Sequence, residues 1–162
     1  MREGIEKFGA LGKWEKIDEK PDELIVRQIN DASCVSAVGE MLARHYGLAV
    51  DQAEILETIG EWSNAEDLAG FLNFKEIRDD VKWEGGGWSI ETPPGALKWL
   101  LRNYKIGAML FDKSTAGHAV FVDSLDETDL VIIKDPFDQT TYKMTLENFV
   151  DVFAFFVWRK EK

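Results

Sequence analysis

The hydrophobic period of this chain changes once, near residue 105, and that change limits the folds open to it. Residues 34–46 carry apolar side chains at 34, 35, 37, 38, 41, 42 and 46, close to helical spacing, and Gly47 supplies a stop. Residues 51–59 repeat the pattern, with Asp51 as cap and Ile55, Leu56 and Ile59 on one face. Residues 64–71 predict a third helix. Thr92-Pro93-Pro94 opens a fourth that runs through Leu97, Leu100 and Leu101 to about Tyr104. Beyond that point the alternation is twofold: 107–112, 119–125, 130–134 and 140–144 predict strands, with turns at 126–129 and 138–139. A short helix at 145–150 and a strand at 153–158 complete the pattern. Helices first and antiparallel strands afterwards predict an α+β fold of two packed layers, the helical N-terminal half lying on a sheet from the C-terminal half.

At 162 residues the chain is long enough for one domain with a real core. Residues 1–23 predict an N-terminal arm with Trp14 and Ile17 as anchors, and 24–162 the domain itself. Within the arm, 18–23 is a solvated charge run, and Leu24-Ile25-Val26 predicts an extended or strand-like segment. Residues 83–88, three glycines between two tryptophans, predict a loop. Trp83, Gly86 and Trp88 there either line a cleft for an extended peptide backbone or cap the core.

A formal net charge of −11 argues against nucleic acid and against anionic membrane surfaces as partners. A neutral or basic partner surface fits it better. The first twenty residues are charged and lack the apolar stretch of a signal peptide, and no run is long enough to span a bilayer. That pattern suits a cytoplasmic protein or a piece of a larger secreted one. A single cysteine excludes an intramolecular disulfide and a multi-cysteine zinc site, and fits a reducing compartment. No metal or cofactor is expected.

That cysteine, Cys34, opens the first predicted helix, with Gln28 six residues before it. A free thiol has a pKa of roughly 8.5 and attacks poorly until ionised; a helix start and a neighbouring imidazole both favour the thiolate. His118, after Gly117, and Asp135, before Pro136, fall on two consecutive predicted strands. If the intervening turn is centred near residue 127, the two side chains face each other across the ladder, roughly 4.5–5.5 Å apart at Cβ. Asp135 would then orient His118, and His118 would take the proton of Cys34. Gln28 and the Cys34 N–H are candidate donors to a tetrahedral oxyanion. Gly117 leaves room for a substrate backbone. His45, at the far end of the first helix, is read as a helix C-terminal residue near the dipole. Each residue alone has a plainer reading, a lone cysteine before an apolar helix being usually a small buried hydrophobe; the joint pattern carries the chemistry.

This constellation resembles the papain-like cysteine peptidases that remove double-glycine leaders from bacteriocin precursors, together with their stand-alone and toxin-domain relatives. The resemblance rests on Gln28, Cys34, Tyr46-Gly47, Gly117-His118 with the apolar run 119–122, and 132–136 ending in Asp135-Pro136. It covers about residues 24–155. It implies a papain-like α+β fold and thiol-dependent cleavage of a peptide or protein, as a leader-processing domain or bacterial effector. Cys34 would be nucleophile, His118 base and acid, Asp135 orienting carboxylate and Gln28 oxyanion donor. An inhibitor or immunity protein is then a candidate partner. One departure stands out: Val35 replaces the glycine that usually follows the cysteine, narrowing the space beside the thiol. Three alternatives stay open: a glutamine deamidase or acyl transferase with the same thiol chemistry, an inactive peptide-binding module, and a structural domain with a buried cysteine.

Overall fold

The computed structural model describes residues 14–89, 92–112 and 117–162. In chain order the elements are β1 (Ile17–Pro21), α1 (Cys34–His45), α2 (Gln52–Ile59), α3 (Ala65–Lys75), β2 (Val81–Gly87), α4 (Pro94–Asn103), β3 (Ile106–Leu110), β4 (His118–Leu125), β5 (Val131–Asp135), β6 (Thr140–Met144), α5 (Leu146–Val152) and β7 (Phe153–Glu161). The strands form one sheet in the order β1-β6-β5-β4-β3-β7-β2, antiparallel throughout.

Strand alternation sorts the core into two clusters. Met109, Ala119, Phe121 and Val157 pack with α1, α2 and α3 on one face; Ile106, Ala108, Leu110, Val120, Val122, Val131 and Ile133 pack with α4 and α5 on the other. The fold is therefore α+β, but with helices on both faces rather than the two layers expected. The cause is α4, whose Leu97, Leu100 and Leu101 need a buried surface of their own. Helix α1 is the centre of the first cluster, with ten of its twelve residues buried. Gly39 lets it approach so closely that a Cβ there would lie 2.6 Å from Leu68 Cδ1 and 2.8 Å from Ile55 Cδ1.

Local chemistry fixes the helix ends. Asp51, Asn64 and Thr145 each accept from a backbone N–H in the first turn of α2, α3 and α5. Helix α1 stops at Tyr46, with Gly47 at φ 75° behind it.

Three local expectations need correction. The glycine-rich stretch 83–88 is not a loop: residues through Gly87 belong to β2, paired along its length with β7. The glycines serve packing, since a Cβ on Gly85 would sit 2.5 Å from the Ala65 carbonyl oxygen at the start of α3. The Asn73 side chain also pairs with both the N–H and the C=O of Trp83, each at 2.8 Å, as a neighbouring strand would. Second, Leu24-Ile25-Val26 forms no strand: Leu24 lies in a turn and Ile25 in a bend, with Leu24 85% exposed and Ile25 buried. Third, the charge run at 18–23 is solvated as expected, but its first residues belong to β1, an edge strand whose Asp18, Glu19 and Lys20 face water and whose last residue is Pro21.

Candidate active site

Cys34 is the first residue of α1 and is fully buried. The preceding Ser33 does not cap the helix. Its hydroxyl is taken up by the turn before it, donating to the Asn30 carbonyl at 3.1 Å and accepting from the Asn30 N–H at 3.0 Å. Acidic side chains occupy the first turns of α2, α3 and α5 but not that of α1. The positive end of α1 is therefore left to whatever charge sits at its first residue. Cys34 Sγ accepts a hydrogen bond from the Ala119 N–H at 3.3 Å, which ties the start of α1 to the start of β4. Val35 is buried in the same core cluster as Cys34.

His118 opens β4 and Asp135 closes β5; both are fully buried, and His118 Nε2 lies 2.6 Å from Asp135 Oδ1. They are not directly opposite each other as expected. The ladder pairs Leu125 with Val131 and Ser124 with Ile132, then shifts so that Val122 faces Ile133 and Phe121 faces Lys134. Asp123 is the extra residue of a bulge. Continued, this register sets Asp135 against Val120, making His118 its diagonal neighbour on the same face, within reach of a long side chain.

The Ala119 N–H bond to Cys34 Sγ brings the thiol beside the neighbouring His118, and with Nε2 on Asp135 the ring nitrogen left for a thiol is Nδ1. Burial works against a charged His118, but the Asp135 carboxylate and Cys34 outweigh it and push its pKa up to about 10. Burial likewise opposes ionised Asp135, yet His118, the Phe137 N–H and the Tyr142 hydroxyl hold its pKa below the ordinary 3.8. The imidazolium–carboxylate pair is thus stable across the neutral range.

Gln28 comes to the same place by its backbone, its N–H donating to the Pro136 carbonyl at 2.8 Å, one residue beyond Asp135. Its Nε2 donates to the Asn30 carbonyl at 2.8 Å, while Oε1 is buried with no hydrogen-bond partner among the described residues. One Nε2 proton remains for an incoming group. Gly117 takes φ 112°, which a residue with a Cβ would resist, so the turn into His118 requires glycine on backbone grounds.

The structure does not bring Trp83, Gly86 and Trp88 to this site. Strand β2 is three strands from β4, about 14 Å across the sheet. Trp83 is buried against Tyr46 with its Nε1 donating to Glu76 at 2.9 Å, and Trp88 packs on Phe153 and Phe156. His45 ends α1 in edge contact with Tyr46; burial and the nearby Lys105 lower its pKa, which weakens any ionic role at the dipole.

Two residues of the site were not singled out from sequence. Tyr142 donates its hydroxyl to Asp135 Oδ2 at 2.8 Å, and Trp14 Nε1 donates to the Tyr142 oxygen at 3.0 Å. Tyr142 was visible only as one residue of an alternating strand, and Trp14 only as an anchor.

A thiol at a helix start, an imidazole beside it, a carboxylate behind the imidazole and an amide beside them define the class: a papain-like thiol hydrolase. The comparisons narrow this further. The peptidase C39 family matches residues 22–162, and the chain belongs to that family of cysteine peptidases. It is 35% identical over 145 residues to cysteine protease effector 1 of Escherichia coli O1:K1:H7; the match takes in 89% of this chain but only 28% of the length of that relative. In fold it is similar to a double glycine motif protease from an AMS/PCAT transporter, solved with its leader peptide (TM-score 0.66, 17% identity, 93% of this chain and 100% of that one). It is also similar to the peptidase domain of Streptococcus ComA (TM-score 0.59, 20% identity, 85% and 97%). No helix among the described residues is long and apolar enough to cross a membrane.

Proposed function

We propose that this chain cleaves a peptide bond through a thioester formed on Cys34, as the peptidase portion of an effector-type protein. His118 holds, as imidazolium, the proton given up by the Cys34 thiol and later delivers it to the leaving amine. Asp135 holds the imidazole in its working orientation. Gln28 Nε2 and the Cys34 N–H, unbonded within its helix as a first-turn group, receive the oxyanion. The observation that carries the reading is that Asp135, His118 and Cys34 are buried together from three different elements, His118 Nε2 lying 2.6 Å from Asp135 Oδ1 and the N–H of Ala119, the next residue, meeting Cys34 Sγ at 3.3 Å. The likeness to an effector supports the setting, and the leader peptide in one fold relative supports a peptide as substrate.

The test measures alkylation of Cys34 by iodoacetamide against pH, by mass spectrometry, in the wild type and in His118→Ala. A wild-type rate at neutral pH at least tenfold above that of the variant is expected. Equal rates in the two would remove the Cys34–His118 pair and with it the proposed chemistry. Cleavage of a denatured protein mixture, abolished in Cys34→Ala with the fold retained, would then establish peptide-bond hydrolysis.

A further inference from the structure

Asp135 accepts three hydrogen bonds: His118 Nε2 at 2.6 Å and the Phe137 N–H at 3.0 Å on Oδ1, and the Tyr142 hydroxyl at 2.8 Å on Oδ2. The Tyr142 oxygen accepts in turn from Trp14 Nε1 at 3.0 Å. Chemistry fixes the direction of this chain. An indole N–H can only donate and a carboxylate can only accept, so the single hydroxyl proton of Tyr142 must point at Asp135. Tyr142 is fully buried and stays protonated, burial raising its pKa well above 10. Trp14 meets the site a second time: its ring lies 6.2 Å from the His118 ring, with the planes 21° apart. A loop of contacts therefore runs from Trp14 through Tyr142 and Asp135 to His118 and back to Trp14. Trp14 precedes residues 22–162, the part of the chain that the family match covers.

We propose that Trp14 and Tyr142 are positioning residues of the peptidase site: Tyr142 fixes the Asp135 carboxylate from behind, and Trp14 fixes the Tyr142 hydroxyl while covering the imidazole. The proposal rests on the Cys34–His118–Asp135 reading above. It makes Trp14, which lies ahead of the family match, part of the active site. The carboxylate that orients the imidazole has two oxygens, and a donor on the second stops it from rotating away from the first. Indole supplies rigid area and one directed proton at little entropic cost.

The test follows the proton between His118 Nε2 and Asp135, which resonates far downfield in the NMR spectrum and is identified by its loss in Asp135→Asn. Tyr142→Phe removes one donor, leaves more charge on Oδ1, and is expected to move this resonance further downfield. Trp14→Phe keeps a ring beside His118 but no N–H, and is expected to move it the same way by less. The double variant should match Tyr142→Phe alone, because without the hydroxyl the indole proton has nothing to act on. A structural role for either residue predicts no such coupling. An unmoved resonance in Trp14→Phe and Tyr142→Phe, or additive shifts in the double variant, overturns the proposal while leaving the triad in place. Absence of the resonance from the wild type removes the His118–Asp135 pair, and both readings fall. If Tyr142→Phe does not fold, Trp14→Phe alone decides.

Discussion

Asp135→Asn is the substitution whose effect the structure defines best. In the wild type the carboxylate and Cys34 lift the pKa of fully buried His118 from the ordinary 6.5 to about 10, against the burial that lowers it. At 1.36 kcal/mol per pH unit that is about 5 kcal/mol in favour of the imidazolium. A neutral carboxamide removes the main raising influence and leaves burial, so the His118 midpoint should fall to 6.5 or below. The ring then becomes neutral throughout the working range, and turnover should drop by about 10²–10⁴. The chain has two histidines, so both imidazoles can be followed by nitrogen-detected NMR titration. His45, whose pKa is lowered, serves as an internal reference. The sign also appears in stability. A raised His118 pKa stabilises the fold fully below 6.5 and loses that contribution as pH climbs towards 10; a depressed Asp135 pKa stabilises above 3.8 and loses it as pH falls. The two describe one ion pair, so the gap in Tm between wild type and Asp135→Asn should be widest between about pH 4 and 6.5. A wild-type His118 midpoint at or below 6.5, or one still near 10 in the variant, would refute the argument.

Gln28→Ala should lower kcat by about 10²–10³ while costing only about 1 kcal/mol of stability, since the lost bond is a single one to the Asn30 carbonyl; an unchanged kcat would release Gln28 from the oxyanion role. Two adjacent glycines should behave oppositely. Gly85→Ala meets the Ala65 backbone and should destabilise by about 1–3 kcal/mol in urea unfolding, whereas Gly86→Ala meets nothing within 4 Å and should be nearly neutral.

The helices were legible because each rests on local signals that its surroundings do not override. Asp51, Asn64 and Gly47 punctuate periodic runs, and the structure places the ends of α1, α2 and α3 beside them. The edge strands were not legible, because an edge strand owes its existence to a partner rather than to its own pattern. Strand β1 is charged, with no apolar alternation, and is held by β6; β2 is rich in glycine and is held by β7, the Asn73 side chain and the close approach of α3. Trp14 was hidden for the same reason, since its partners Tyr142 and His118 lie more than a hundred residues away.

The His118–Asp135 pair shows where such reading stops. Spacing alone placed the two residues near each other across a turn, but a strand offers two faces and a shift of one residue exchanges them. In the register set at the turn, Leu125 to Val131 and Ser124 to Ile132, an uninterrupted ladder would bring Asp135 opposite Phe121. Asp135 would then share the face of Ala119, and His118 would point the other way. The extra residue at Asp123 moves Asp135 onto the face of Val120, and so of His118. Asp123 shows no sign of this in sequence: it sits in an alternating run as an ordinary polar residue, its carboxylate paired with Lys105 at 2.9 Å. The contact between His118 and Asp135 thus depends on a backbone irregularity five residues from the histidine. Deleting Asp123 should separate His118 from Asp135 more completely than any conservative substitution at the bulge.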